Sequence, residues 1–130
     1  MKTKALISVL ALLTLYASAW AGIIVYFMSG GRIEMVLGIQ MANAWEYTST
    51  PTRIAVLFWA VALWLTLGAA LLRRRYAGFA MIGVILIHLA AFIPLSANPY
   101  YDATAGYFVV SLELLLTPLL FSLRADRSTD

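Results

Sequence analysis

Two ionisable side chains stand inside apolar runs, and chemistry can be assigned to them first. His88 lies in the third run and Glu113 in the fourth. Ionisable groups within a membrane span are costly and are functional candidates by default. An imidazole and a carboxylate can share a proton, hold a polar substrate, or form a satisfied buried hydrogen bond that fixes helix register. If they touch, they titrate as one coupled unit. With a rise of ~1.5 Å per residue, His88 lies about 18 Å and Glu113 about 15 Å from the same end of their spans. Antiparallel neighbours would bring them to nearly one level. Thr14 and Ser18, at about 14 and 20 Å, and the indole donor of Trp64, at about 12 Å, extend this candidate polar cluster.

Little other chemistry is available. The 130 residues include one His and no Cys. Disulfides, thiolate metal sites, iron–sulfur clusters and c-type haem attachment are thereby excluded. A single imidazole builds no multi-His site and is a weak signal for haem. Ser8, Ser18 and Ser111 have no catalytic set around them, and no phosphate loop or carboxylate dyad is present. The expectation is a non-enzymatic protein with no cofactor and no metal.

Composition says what must carry these groups. Apolar residues make up 63% and charged residues 12%, against ~45–50% and ~25% in soluble domains. Mean hydropathy is +0.89. Four stretches reach the ~20 apolar residues a transmembrane helix needs, at about 5–28, 51–72, 76–95 and 103–123. Their backbone can be satisfied only as helices, since the two-residue alternation of a membrane β-barrel is missing. The predicted fold is an all-α four-helix transmembrane bundle forming one integral membrane domain. Residues 1–19 also read as a signal peptide with Ala17-Ser18-Ala19 as cleavage site. The run continues apolar through Met28, however, and an uncleaved span is expected.

Local signals mark the ends. Thr50-Pro51 offers a hydroxyl N-cap followed by proline at the first helical position, and Asp102 can cap the last span. Asn98-Pro99 breaks the chain between spans three and four. Pro118 frees the carbonyl of Leu114 and is expected to kink the helix beside Glu113. Ala77, Met81, Val84, His88 and Ala91 share one helical face, as do Gly106, Val110, Glu113 and Thr117. Ser18 and Gly22 form a small-xxx-small pair suited to close helix approach. Trp20, Tyr26, Phe27, Trp59, Tyr76, Tyr100 and Tyr101 read as interfacial anchors.

The connection from Ser29 to Ser49 is the longest. Ile33, Val36, Leu37, Met41 and Ala44 recur at helical spacing, which predicts a short amphipathic helix lying in the interface. The segment would form either a structured cap over the bundle or, through Arg32, Trp45, Glu46 and Tyr47, a docking surface for a partner or for lipid headgroups.

Four short spans, the basic turn Arg73-Arg74-Arg75, and a last span reading Leu112-Glu113-Leu114-Leu115-Leu116 before Leu123-Arg124 resemble the small DoxX-like membrane proteins. The resemblance implies a four-helix membrane fold and a mid-span acid, here Glu113, in the last helix. Some members of that family serve as membrane subunits of redox or processing systems.

The expected function is a non-catalytic membrane subunit or scaffold that acts through helix packing and its outer segment. The competing expectation is a proton-coupled small-solute transporter or channel, formed by a homo-oligomer and using Glu113 with His88. The bilayer is one partner, and another membrane protein or a second copy is the other. Nucleic acid is not expected, because the arginine run lacks interleaved aromatics. Lys2, Lys4, Arg73, Arg74, Arg75, Arg124 and Arg127 fall on one side of the spans, and only Arg32 and Arg53 on the other. The positive-inside rule puts both termini in the cytoplasm of an inner or plasma membrane. Reporter fusions at Asp130 should read cytoplasmic and fusions within 48–52 should read external; an external C-terminus overturns the assignment.

Overall fold

The computed structural model describes residues 2–72 and 76–123. Arg73, Arg74, Arg75, Arg124, Arg127 and Asp130, used above for orientation, lie outside the described residues. Four long helices dominate: α1 (Lys2–Met28), α3 (Thr50–Leu71), α4 (Tyr76–Ser96) and α5 (Thr104–Ser122). All four are long and apolar enough to cross a membrane. The fold is an all-α four-helix bundle. The helices pack in the order α1, α3, α4, α5, and α1 meets α5 along only part of its length.

The bundle is apolar on both its inner and outer surfaces. Leu10, Leu63, Met81, Val84 and Leu120 are fully buried between the helices. Leu12, Phe58, Leu65, Phe79 and Phe108 project outward with most of their surface exposed. A water-soluble bundle would place charge on that outer face. Here the outer face is hydrocarbon all round, as a lipid-embedded bundle requires.

Helix packing selects particular faces. On α4, Ala77, Met81, Val84, His88 and Ala91 are all buried, which is the face read from the sequence. On α5 the buried line is Gly106, Val109, Glu113, Leu116 and Leu120; Val110 and Thr117 sit at its edge, half-buried. Gly106 is required for close approach, since a Cβ there would lie 2.1 Å from Cε1 of Phe92 on α4. Gly22 has no such role. It is exposed, and a Cβ there would meet nothing within 4 Å, so the Ser18–Gly22 pair does not mediate a helix contact.

The connection between α1 and α3 departs from the expected single helix. Met35–Val36 (β1) and Ile39–Gln40 (β2) form a small antiparallel hairpin, and only Met41–Glu46 (α2) is helical. Leu37 and Gly38 at the hairpin turn have φ values of 49° and 82°. Two consecutive left-handed residues close a two-residue hairpin and stop a helix from running through 33–40. The helical spacing of Ile33, Val36 and Leu37 was therefore coincidental.

Hairpin and α2 together form a cap over one end of the bundle. Asn98, buried in the α4–α5 connection, donates through Nδ2 to the Ala44 carbonyl at 2.9 Å and to Thr48 Oγ1 at 3.3 Å, while its Oδ1 accepts from the Tyr100 amide. The Arg53 guanidinium lies 3.6 Å above the Trp45 ring and donates to the Trp45 carbonyl at 2.7 Å. Phe27 stacks on Trp45 from the end of α1, with centroids 4.9 Å apart. The N-cap of α3 is Ser49, whose Oγ accepts from the Thr52 amide. This shifts the cap one residue before the expected Thr50 and places Pro51 at the second helical position, where no amide partner is needed either. Asp102 Oδ1 accepts from the Thr104 amide at 2.9 Å, and that bond holds the Asp102 carboxyl below the usual carboxylate range. The acid is therefore ionised at the positive end of α5. Pro94 and Pro118 are both accommodated within continuous helices.

Asn98→Ala should remove the link between the α4–α5 connection and the cap, while the Ala44 carbonyl keeps the Thr48 hydroxyl as its donor at 2.7 Å. Losing a net hydrogen bond costs about 0.5–1.5 kcal/mol, to be measured as a fall in the thermal midpoint of the purified protein in detergent. An unchanged midpoint would mean that the cap is held by its aromatic contacts alone.

Candidate functional site

Glu113 sits on the buried face of α5 with none of its surface exposed. Its two oxygens face different helices. Oε1 lies 2.5 Å from His88 Nδ1 on α4, and Oε2 accepts from the Trp59 indole N–H on α3 at 2.8 Å. The Trp59 and His88 rings stack with centroids 4.1 Å apart and planes 21° from parallel. One carboxylate thus joins three helices, and the two rings that bond it also pack on each other.

The sequence pointed to Trp64 as the indole of this cluster and to Trp59 as an interfacial anchor. The structure exchanges those roles. Trp59 is 4% exposed and Trp64 51%. Five residues at about 100° each turn Trp64 by roughly 140° from Trp59, off the packed face. The cue lay in the apolar stripe of α3, where Val56, Trp59, Leu63, Thr66 and Ala70 repeat at helical spacing. Trp64 lies outside that repeat.

Thr14 and Ser18 do not bond the Glu113–His88 pair. Thr14 Oγ1 donates to the Leu10 carbonyl and Ser18 Oγ to the Thr14 carbonyl, both at 2.8 Å. Ser18 also accepts from Trp64 Nε1 at 2.8 Å. Ser18 and Trp64 thus form a separate tie between α1 and α3 at the bundle surface, whereas Thr14 is fully buried and bonds within α1. Thr117 Oγ1 donates to the Glu113 carbonyl at 2.9 Å, so the backbone at the acid is also satisfied.

In the cap, Arg32 pairs locally with Glu34 through Nε and Oε1 at 2.5 Å. That hydrogen bond raises the Arg32 pKa further, and the guanidinium stays charged. Glu46 and Tyr47 are exposed, and Tyr47 lies against Tyr100 with centroids 5.3 Å apart. Trp45 is half-buried, packed between the Phe27 ring and the Arg53 guanidinium.

Below the cap lies a cavity of about 70 Å³. Trp45, Ala44 and Ile39 roof it; Tyr16, Trp20 and Phe92 wall it; Trp59 and His88 line it at the level of the carboxylate. In the other half of the bundle, below the pair, Leu10, Leu63, Met81 and Leu120 are fully buried in the core. Tyr101 stands beside the cavity at the α4–α5 connection, with its ring 6.2 Å edge-on from Trp20. Burial first, then Tyr16 and Asp102, push its hydroxyl up to about 12. Tyr101 is therefore a neutral phenol over the physiological range.

His88 opens onto this cavity. Nδ1 is taken by Glu113, and Nε2 makes no hydrogen bond among the described residues. Nor is Nε2 sealed in protein. Of the buried side-chain nitrogens and oxygens described, only Arg53 Nε lacks a partner, so Nε2 has surface, and the cavity is what His88 lines. The arrangement is an imidazole oriented through one nitrogen by a buried carboxylate, with the other nitrogen unbonded among the described residues and the ring lining a space that can hold a guest. Such a group can hydrogen-bond a ligand or pass a proton to it. No three His, Cys, Asp or Glu residues among those described are grouped to hold a metal.

No family model, curated protein or solved structure matches the chain.

Glu113→Leu removes the acceptor of two donors at once and should cost more than His88→Leu or Trp59→Phe. The bounds are ~0.6 kcal/mol, the mean for a membrane hydrogen bond, and ~3–5 kcal/mol for breaking a buried pair in a soluble protein. Glu113→Gln keeps an acceptor and should be milder. In a double-mutant cycle on thermal stability in detergent, Glu113→Leu with His88→Leu should recover part of the separate losses. Strict additivity would show that the pair is not energetically coupled.

Proposed function

We propose that this membrane protein is a non-catalytic binding subunit that holds a small, mostly apolar molecule in the cavity under its cap. The observation that carries the reading is His88, which lines that cavity, is pinned through Nδ1 by Glu113 and has no hydrogen bond at Nε2 among the described residues. Small-molecule sites are characteristically apolar hollows with a few converging polar groups. An intramembrane ionisable pair that served only helix register would not need a ring nitrogen facing an empty space.

The bundle half below the pair is filled by leucine and methionine side chains, which favours binding over conduction through a single chain. Orientation follows the basic residues, so the cap and the cavity mouth face outward and both termini face the cytoplasm. Work alongside a second membrane protein, or a second copy, fits a chain with no catalytic set of its own. Proton-coupled transport by a homo-oligomer would draw on the same Glu113–His88 pair. It requires pH-dependent solute flux in proteoliposomes.

Native mass spectrometry of the protein released from mild detergent tests the reading. Wild type should carry a discrete small-molecule adduct that is lost in Val109→Phe, whose larger side chain fills the cavity wall, with the thermal midpoint retained. Bare protein in both cases, or the same adduct on both, would overturn it.

A further inference from the structure

The protonation pattern of the Glu113–His88 pair fixes what kind of polar group the cavity accepts. The pair is enclosed by apolar and aromatic side chains, with Glu113 fully buried and His88 6% exposed. A net charge left in such surroundings is far more costly than a neutral pair. Overall neutrality requires two titratable protons distributed over Glu113 Oε1, Glu113 Oε2, His88 Nδ1 and His88 Nε2. Oε2 accepts from the Trp59 N–H and meets no acceptor among the described residues, so a proton there would be an unpaired buried donor and both protons lie elsewhere. The 2.5 Å contact between Oε1 and Nδ1 holds one proton and has no room for two. The second therefore sits on Nε2. This holds whether the shared proton is drawn on the carboxyl or on the ring, because both descriptions have the same total charge.

We infer that the cavity presents an N–H donor, His88 Nε2–H, and selects an uncharged apolar molecule through a hydrogen-bond acceptor, a carbonyl group such as that of a ketone or an ester. The inference rests on the ligand-binding reading above and adds the chemistry of the ligand. Size supports a compact group. An apolar cavity of about 150 Å³ holds benzene, and this one, at about 70 Å³, suits a carbonyl with its flanking carbons, the rest of the molecule extending toward the cap. Tyr16, Trp20, Trp45 and Phe92 provide the apolar enclosure. A carboxylate ligand would bring an unpaired negative charge beside Glu113, and an ammonium would meet an N–H rather than a lone pair.

Three five-membered probes separate the possibilities: cyclopentanone with an acceptor, pyrrole with an N–H donor, and methylenecyclopentane with neither. Binding to the full-length protein in detergent is followed by quenching of tryptophan fluorescence, with Val109→Phe as the filled-cavity control. Cyclopentanone should bind about three- to tenfold more tightly than methylenecyclopentane, the range of one net hydrogen bond, and pyrrole should gain nothing. The carbonyl stretch of bound, isotope-labelled cyclopentanone should move to lower wavenumber than in empty detergent. His88→Asn places an amide N–H near the position of Nδ1 for Glu113 but has nothing at Nε2. It should keep the fold, bind cyclopentanone and methylenecyclopentane equally, and abolish the infrared shift. A preference for pyrrole would mean that Nε2 is an acceptor and overturns the inference. Equal binding of all three to wild type, or a preference unchanged in His88→Asn, overturns it too while leaving the cavity as a binding site. Binding that is absent, or identical in Val109→Phe, removes both readings together.

Discussion

A carboxyl group with no exposed surface, inside a bundle whose exterior is hydrocarbon, has to find its hydrogen bonds within the protein. Glu113 finds one on each of two neighbouring helices. That requirement selects which faces of α3, α4 and α5 meet. Rotating any of these helices by one residue would carry Trp59, His88 or Glu113 away from its partner. Apolar packing alone would be far less selective, since the lipid-facing and core-facing residues of this chain are chemically alike. In lipid there is little hydrophobic force between helices, and polar contacts and close packing decide register. Gly106 serves the same junction by letting Phe92 lie against α5 beside His88.

The cap depends on that junction indirectly. The α3 and α4 geometry places Arg53 and Asn98 at one end of the bundle, where they hold Trp45, Ala44 and Thr48 over it. The cap is built from short elements with little core of their own, and its anchoring comes from these side chains and from the Phe27–Trp45 stack. Beneath it aromatic side chains meet edge-on, with Tyr16 against its α1 neighbour Trp20 and against Trp59 of α3, and Trp20 against Tyr101 of the α4–α5 connection. In the opposite half, the aliphatic side chains of Leu10, Leu63, Met81 and Leu120 are fully buried against one another. The polar pair stands between this aliphatic half and the cavity.

The polar groups outside the pair are satisfied locally and add little to the chemistry. The Ser18–Trp64 tie, and the hydroxyls that bond their own helix carbonyls, such as the buried Thr14, show how isolated donors are satisfied within the helices. His88 differs from all of these because its second nitrogen has been left to the cavity. That asymmetry gives the site a direction, from a sealed carboxylate through the imidazole to the space under the cap.

Hydropathy and length by themselves determined the four helices and the all-α bundle, because in lipid the backbone has few other solutions. The spacing of Ala77, Met81, Val84, His88 and Ala91 also determined which face of α4 is buried, and it set His88 and Glu113 at a common depth. Tertiary structure decided the partners. Trp59 and Trp64 are the same residue type on the same helix, and only the packing of α3 against α4 and α5 brings one to the carboxylate and leaves the other at the surface. It also decided the cap, where two left-handed residues, Leu37 and Gly38, outweigh a helical spacing that looked persuasive in one dimension. The cavity was not legible at all. It arises where rings from separate helices fail to fill a common space, a property of their three-dimensional arrangement that no local pattern encodes.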